Sequence, residues 1–411
     1  MQKSFYGWKV LAALFTAYFF ANGVITNTLP TFYPELMKEF KWNNEMLSRP
    51  TLIQYFTVAI TSILAGLLLD KMDAKKIIMA GSIFFLAGLV LISRMHTLSQ
   101  MIFAYILFAL GLVLCGIISS MHVITKWFVK KRGMAVGIFL VASSLGGFIF
   151  NPLANVLNNN FGWRSAVFIL GIAVFLFTLI PVFIWVKNSP EKAGMQPDGI
   201  AENNLTGAGY ITYGQALRMP VFYLLLFITG AMWFCILSII IHQALHYASR
   251  PIGMEANKSS LVAIFYLCSV AGKLVFGYAS DKNYSKKNIM LASMLCLVAG
   301  AVILQFTFLN PGLNWLFVIV YGFGFAGVFT MIQTLVADYY AGPHYGRILG
   351  IVTLVDTIAG AMGAWVTGNI AKNNDFQYHE AFRVLLYISA AATVCILFVQ
   401  KPKPLTLKNI N

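Results

Sequence analysis

The chain has 411 residues, of which 59% are hydrophobic and only 10% are Asp, Glu, Lys or Arg. Soluble domains average about 25% charged residues, so this composition excludes a large water-soluble protein. The net charge of +15 does not indicate nucleic-acid binding, because the basic residues lie in short clusters between apolar runs. The five cysteines lie inside apolar runs without CxxC spacing, so we expect neither a disulfide framework nor a metal site.

Runs of about 20 apolar residues indicate helices that cross a bilayer core of roughly 30 Å, and such runs occupy almost the whole chain. The first run is too long for a signal peptide and has no A-x-A cleavage site, so we expect it to be an uncleaved span. The pattern predicts twelve spans, at residues 8–30, 48–69, 76–94, 98–125, 133–157, 163–186, 220–246, 259–280, 288–309, 313–337, 347–371 and 379–400.

One long polar stretch, rich in Pro, Gly and Asn, separates the sixth predicted span from the seventh. We therefore expect an N-terminal six-helix half at 1–187, a linker at 188–219 and a C-terminal six-helix half at 220–411. With the N-terminus inside, the inner loops hold most of the Lys and Arg residues. The positive-inside rule then predicts a multi-pass protein of the cell (plasma or inner) membrane with both termini and the linker in the cytoplasm.

Two sequence patterns recur in register in the two predicted halves. The first pattern, Gly-x3-Asp-Lys, follows the second and the eighth spans, as Gly66-x3-Asp70-Lys71 and Gly277-x3-Asp281-Lys282. The second pattern combines Arg with Gly, and it places Arg132 at the start of the fifth span and Arg347 at the start of the eleventh. Two repeats at nearly the same offset indicate duplicated halves of like topology.

The repeated residues suit a gate between helices. Gly66 and Gly277 allow a neighbouring helix to approach closely. Asp70 and Asp281 lie at helix ends, where a carboxylate can pair with Lys or Arg or bond to an exposed helix N-terminus. Such pairs can latch one conformation and release in another, so we predict a gating role. The alternative is loop solvation combined with the positive-inside bias.

At these residues the chain resembles the major facilitator superfamily, whose loop motif after the second and eighth helices is Gly-x3-Asp followed by a basic residue. Within that superfamily it resembles the branch of monocarboxylate porters and oxalate/formate antiporters. The segments that carry this second likeness are Tyr6-Gly7-Trp8, Lys126-Trp127-Phe128-x3-Arg132-Gly133-x-Ala135-x-Gly137, Phe161-Gly162-Trp163-Arg164 and Pro190-Glu191-x2-Gly194-x2-Pro197-Asp198-Gly199. The resemblance implies an all-α membrane protein, with twelve transmembrane helices in two pseudo-symmetric six-helix halves, that works by alternating access.

The resemblance also points to a substrate-binding cation. In that branch a cation in the eighth helix, usually Arg, lies about two turns before the motif Asp and binds the substrate carboxylate. Lys273 holds this place here, which keeps the charge but loses the bidentate fork. Oxalate carriers of the branch have a second cation in the eleventh helix, where this chain has Asp356. That departure argues against a dianion such as oxalate.

Lys273 and Asp356 are expected at similar depth near the bilayer midplane. A charge at a helix centre costs about 2.5–3.5 kcal/mol, so both should face a cavity, each other or both. One interpretation is a buried ion pair between the eighth and eleventh helices. The other is that Lys273 attracts an anionic substrate while Asp356 takes up and releases a proton, so that binding and proton uptake are coupled.

Further polar residues inside the spans are candidate substrate contacts, and each can equally bond a neighbouring helix. A histidine such as His242, near the outer end of its span, can also titrate near neutral pH. These candidates are Asn22, Gln54, Tyr55, His122, Asn151, His242, Tyr266 and Gln333.

The chain contains no Walker A, HExxH or GxSxG pattern, so enzymatic chemistry is not expected. We expect a secondary active transporter, a monomer without cofactors, that moves a small monocarboxylate-like anion with protons or by anion exchange. One alternative is a transporter of a neutral or amphipathic solute, drug or sugar-like, in which Lys273 and Asp356 form a structural or proton-relay pair. A second is a transporter-like solute sensor, which would usually need an added cytoplasmic domain.

Overall fold

The computed structural model describes residues 5–198, 210–248, 258–282, 284–373 and 377–402. In this part of the chain the regular structure is helical, and twelve long apolar helices follow one another. Their bounds are Gly7–Phe40 (α1), Asn44–Lys71 (α2), Ala74–Arg94 (α3), Leu98–Trp127 (α4), 132–161 (α5), 163–185 (α6), Pro220–Ala248 (α7), Lys258–Ser280 (α8), Lys286–Phe306 (α9), Leu313–Tyr340 (α10), Tyr345–Asn373 (α11) and His379–Phe398 (α12).

Helices α5 and α6 form one run, Arg132–Trp185, that is divided at Gly162. The run has 54 residues, whereas a single span needs about 20. Gly162 has φ of +74°, a backbone conformation that glycine adopts without steric cost because it lacks a Cβ atom. The chain therefore turns at this residue, and the predicted fifth and sixth spans are two separate helices.

Helix α1 changes its hydrogen-bonding pattern along its length. It is α-helical over Gly7–Ala21, a π-helix over Asn22–Thr28, a 3₁₀-helix over Leu29–Phe32 and α-helical again over Tyr33–Phe40. The predicted span ends at residue 30, where the apolar run ends. The helix continues to Phe40 because polar contacts hold its last two turns.

Those contacts centre on Glu39, which binds the residues after the Gly162 turn. The guanidinium of Arg164 donates a hydrogen bond to Glu39 at 2.7 Å and another to the Met95 carbonyl at 2.9 Å. The Trp163 indole N–H donates to Glu39 at 2.7 Å, and Arg164 lies over the Trp163 ring. The Phe-Gly-Trp-Arg segment therefore has a structural role, joining α1, α3 and α6.

By its internal contacts the chain divides into two compact units. The first contains Met1–Asn203 together with Tyr345–Ile351, and the second contains Asn204–His344 together with Val352–Asn411. In the first unit α1 packs on α5, and α3 packs on α4 and α6; in the second, α10 packs on α8 and α9, and α12 packs on α7 and α9. The first two turns of α11 thus belong to the first unit and the rest of that helix to the second.

Glycines provide the closest helix contacts in each unit. A Cβ atom built on Gly146 would lie 2.7 Å from the Cα atom of Gly23, so α5 and α1 touch backbone to backbone. A Cβ atom on Gly324 would lie 2.4 Å from the backbone of α9, and one on Gly363 would lie 2.2 Å from a carbonyl oxygen of α7. Small residues thus let these membrane helices approach each other closely.

Candidate functional site

The repeated motifs meet in the first unit, at the end of α2. Asp70 forms an ion pair with Arg347, which lies in the part of α11 that belongs to this unit. The Asp70 side chain is 10% exposed and that of Arg347 is 28% exposed, so the pair is largely shielded from solvent. The acid of the first repeated motif therefore binds the arginine of the other motif.

The helices that carry this pair touch along two turns. A Cβ atom built on Gly66 would lie 2.5 Å from the carbonyl oxygen of Gly346, which leaves no room for a side chain. The Ser62 hydroxyl donates a hydrogen bond to the Gly350 carbonyl at 2.9 Å. Residues 345–351 therefore lie directly against α2, from Ser62 to Asp70.

Arg132 closes the turn between α4 and α5. Its Nε atom donates to the Phe128 carbonyl at 3.0 Å, and its Nη2 atom donates to the Thr125 carbonyl at 3.3 Å. The structure thus places Arg132 at the end of α4, where its guanidinium satisfies carbonyl groups of the last turn of that helix.

Lys71, next to Asp70, is exposed.

The second copy of the motif ends α8. Gly277 lies in the last turn of that helix, and the Asp281 backbone N–H donates to the Tyr278 carbonyl at 3.2 Å. The Lys282 ammonium lies 4.6 Å from the centre of the Tyr278 ring. A hydrogen bond with Tyr278 raises the pKa of Lys282, so this lysine stays protonated at neutral pH.

In each unit one lysine after the motif binds a carbonyl at a helix end, although the two lysines hold different places in the repeat. The Lys75 ammonium donates to the Phe183 carbonyl at 2.5 Å, and the Lys287 ammonium donates to the Leu397 carbonyl at 2.9 Å. Each lysine thereby satisfies a carbonyl in the last turn of α6 or α12, where the helix dipole also favours a cation. The position equivalent to Lys75 is Lys286, whose ammonium instead binds Asp338 on α10 at 2.5 Å.

Lys273 lies inside the second unit, at the contact between α8 and α10. Its side chain has no exposed surface, so it does not face lipid. Its ammonium lies 5.8 Å and 5.4 Å from the ring centres of Phe325 and Phe329 on α10, within the range of cation–π attraction. The two rings are stacked, with centres 6.1 Å apart. Neither ring is predicted from the sequence as a partner of Lys273, although the four-residue spacing of Tyr321, Phe325 and Phe329 places them on one helix face.

Asp356 lies at a different contact of the second unit, between α7 and α11. It is 6% exposed and lies near the side chain of Thr229 on α7, whose hydroxyl donates to the Leu226 carbonyl at 3.3 Å. A Cβ atom built on Gly230 would lie 3.0 Å from the side chain of Val355, so the two helices are close here. Asp356, like Lys273, is buried rather than lipid-facing, as the cost of a charge in lipid leads one to expect.

The two candidate histidines are buried. His242 is 8% exposed, and its Nε2 atom is hydrogen-bonded to the Ala364 carbonyl on α11 at 2.9 Å. This bond joins α7 to α11, which favours a structural role. His122 is 4% exposed and lies within α4, one turn before Lys126.

Asparagines cluster around the π-helical part of α1. The Asn27 amide donates to the Asn22 side chain at 3.2 Å and to the Ser143 carbonyl on α5 at 3.3 Å. The Asn151 amide oxygen accepts a bond from Thr31 at 3.3 Å. The structure thus brings Asn22 and Asn151 to the same pair of helices, α1 and α5. Single-turn π segments occur frequently at functional sites, so this polar group is a candidate for substrate contact.

The remaining candidates lie on α2, α8 and α10. Gln54 is 8% exposed and Gln333 is 3% exposed, so both are buried within their units. Tyr55 follows Gln54 on α2 and is partly exposed. The Tyr266 ring lies 5.5 Å from that of Phe265 on α8.

Twelve apolar helices with buried intramembrane charges define a multi-pass membrane protein. The family model of the Major Facilitator Superfamily matches residues 14–257 and 236–410. The chain therefore belongs to the Major Facilitator Superfamily, and it is a membrane transporter of small molecules rather than an enzyme. The resemblance inferred from the sequence motifs is confirmed at the level of the superfamily.

The chain is similar to transporters that differ in what they carry. It is 27% identical to the fujikurins efflux protein of Gibberella fujikuroi, over 89% of this chain and 76% of that protein. It is 24% identical to human monocarboxylate transporter 6, over 94% of this chain and 79% of that protein. The solved structure of the proton:xylose symporter XylE matches with a TM-score of 0.80 at 15% identity, over 98% of both chains, which supports the fold alone.

Proposed function

We propose that the protein transports a small organic anion of the monocarboxylate kind, coupled to protons. The observation that supports this most directly is Lys273, a fully buried cation on α8 whose ammonium lies against aromatic faces of α10. Aromatic faces attract a cation, and a buried cation is a group to which a carboxylate can bind. The likeness to human monocarboxylate transporter 6, over almost the whole chain, agrees with this substrate class.

Asp356 is the residue that we propose to couple transport to protons. It is a buried carboxylate at the contact of α7 with α11, helices that touch closely at Gly363. A buried carboxylate is stable either protonated or beside a positive charge, so a change in packing at this contact changes its affinity for a proton. Proton uptake at Asp356 and anion binding at Lys273 would then belong to one cycle.

The pair Asp70–Arg347 is the proposed gate. In the described structure it is closed, with residues 345–351 lying against α2. In our proposal this contact lies on the cytoplasmic side, as the distribution of basic loops suggests, and opens when substrate leaves. We further propose that the protein is a monomer in the cell membrane, with both termini in the cytoplasm.

A second candidate is export of a larger amphipathic compound. Two observations favour it: the fujikurins efflux protein is among the similar proteins, and two aromatic rings lie near the Lys273 ammonium. In that case Lys273 and Asp356 would serve as a structural or proton-relay pair.

The test is uptake of labelled lactate, pyruvate, formate and oxalate into proteoliposomes that contain the purified protein, with and without an imposed pH gradient. We expect uptake of at least one monocarboxylate, accumulation that requires the gradient, and weak or absent oxalate uptake. Asp356→Asn should abolish accumulation and keep exchange. Glu380→Gln, which neutralises an exposed acid on α12, is the control and should behave as wild type. Failure of all four anions, or uphill uptake by Asp356→Asn, contradicts the proposal.

A further inference from the structure

The chain that follows α6 turns back onto the first unit. Residues 186–198, here called the strap, form hydrogen bonds with two loops of that unit. The Trp127 indole N–H donates to the Lys187 carbonyl at 2.9 Å. The Asn188 side chain accepts a bond from the Lys75 backbone N–H at 3.1 Å. The strap is thus attached at the α4–α5 loop and at the start of α3.

An ion pair holds the middle of the strap. The Lys192 ammonium lies 2.8 Å from a carboxylate oxygen of Asp73, which is the residue before α3. Asp73 also accepts a hydrogen bond from the Asn188 amide. One acid in the α2–α3 loop therefore binds two side chains of the strap.

The end of the strap is fixed by Asp198. Its carboxylate accepts hydrogen bonds from the backbone N–H groups of Val129, Lys130 and Lys131, at 2.5, 3.1 and 2.9 Å. Its own backbone N–H donates to the Trp127 carbonyl at 3.1 Å. Three successive N–H groups that converge on one carboxylate form an anion-binding nest, and bonds to an ionised acceptor are stronger than neutral ones.

The loop held by this nest leads directly to Arg132. Lys131 is the residue before α5, and Arg132 is the first residue of that helix. The Arg132 guanidinium in turn bonds the Phe128 and Thr125 carbonyls. The direction of the Arg132 side chain therefore depends on the loop conformation that Asp198 stabilises.

We propose that Asp198 is a positioning residue for transport: by filling the nest it fixes the α4–α5 loop and holds Arg132 at the end of α4. In this view the strap is part of the first unit. Asp198 acts through the backbone of Val129–Lys131 and not by contact with substrate. The sequence signal for it is the Pro197-Asp198-Gly199 segment.

The first test is hydrogen exchange of the backbone amides of Val129, Lys130 and Lys131 in the purified full-length protein. In the wild type we expect these three amides to be protected, and fast exchange there would overturn the proposal without any variant. In Asp198→Asn, which replaces one acceptor oxygen by a donor, they should exchange at least tenfold faster, while α3 and α6 stay protected. Unchanged protection in Asp198→Asn would also overturn it.

The second test separates positioning from general stability. Initial rates of labelled pyruvate uptake into proteoliposomes should show a maximal rate at least fivefold lower in Asp198→Asn with unchanged KM, and Asp198→Glu should restore part of it. Glu191→Gln, which removes an exposed acid from the same strap, should match wild type. Wild-type rates in Asp198→Asn would overturn the proposal. If wild type does not carry pyruvate, another monocarboxylate that it carries replaces pyruvate in this assay. If it carries none, the anion proposal fails, and the exchange measurement alone decides the role of Asp198.

Discussion

A disulfide between α2 and the start of α11 is expected to stop transport. A Cβ atom built on Gly346 lies 3.3 Å from the Cβ atom of Leu69, and a disulfide needs about 3.5–4.5 Å between these atoms. The variant with Leu69→Cys and Gly346→Cys therefore requires the two backbones to separate by only a few tenths of an ångström. The new bond would lie one residue from both Asp70 and Arg347, so it would keep this ion pair closed.

The assay is uptake into proteoliposomes before and after mild oxidation, in a background whose five native cysteines are replaced by alanine or serine. We expect uptake to fall at least tenfold on oxidation and to recover on reduction, because the proposed alternating access requires the Asp70–Arg347 contact to open. The control is the pair Leu89→Cys with Gly171→Cys on α3 and α6 of one unit. A Cβ atom built on Gly171 would lie 2.9 Å from that of Leu89. These helices must therefore separate by about 0.6 Å for the disulfide to form. Its cross-link should leave transport unchanged.

Full transport by protein that is completely cross-linked between positions 69 and 346 would refute the reasoning. It would show that α2 and the start of α11 stay together throughout the cycle. The Asp70–Arg347 pair would then be a permanent structural contact.

Three further predictions concern single residues. Asp70→Asn removes the charge that holds Arg347, so the contact should weaken by about 1.5–3 kcal/mol and the 69–346 disulfide should form at least tenfold more slowly; an unchanged rate would contradict this. Gly363→Ala adds a methyl group 2.2 Å from a carbonyl oxygen of α7, which should cost about 1–3 kcal/mol and lower Tm in a thermal scan, and an unchanged Tm would show that the helices move apart freely. The hydrogen bond from Lys192 lowers the pKa of Asp73. This pair therefore stabilises the fold at pH values above 3.8, the ordinary pKa of this carboxyl group. The stabilisation is lost as the pH falls through the lowered pKa of Asp73 in the folded protein. At neutral pH Asp73→Asn should therefore lower the free energy of unfolding by less than about 1 kcal/mol, because the pair is exposed. The corresponding difference in Tm should vanish in acid. A difference in Tm that grows in acid would contradict the assignment.

The order of the helices is predictable because an apolar run of bilayer length has one stable structure in lipid, a helix with all of its backbone groups bonded internally. Helix ends are less predictable where polar residues continue the helix beyond the apolar run. The end of α1 shows this, since Glu39 is bonded to Arg164 on α6 and the helix reaches Phe40. Hydropathy carries no information about such a long-range contact.

The sequence repeat identifies Asp70 and Arg347 as members of corresponding motifs but does not show that they are partners. A repeat gives the place of a residue within its own half, whereas the packing of α11 on α2 depends on Gly66, Gly346 and Gly350 together. Asp198 was missed as a functional candidate for another reason. It binds backbone N–H groups, and a bond to backbone leaves no complementary side chain in the sequence.

Lys273 could be singled out because a cation inside an apolar run is costly and therefore conspicuous. Its partners Phe325 and Phe329 could not, because aromatic residues in an apolar helix look the same whether they face lipid, a neighbouring helix or a cation. Only the structure shows which face of α10 lies toward α8. The same limit applies to Asp356, whose neighbour Thr229 is one of many hydroxyl residues in the spans.

The most direct test of the central claim is equilibrium binding of labelled pyruvate to the purified wild type, Lys273→Arg and Lys273→Gln. Loss of a charged hydrogen bond costs about 1.5–3 kcal/mol, so Lys273→Gln should bind about 10- to 150-fold more weakly, and Lys273→Arg should keep most of the affinity. Lys273→Gln that binds pyruvate as tightly as wild type, or a wild type that binds none of pyruvate, lactate and formate, would contradict the account.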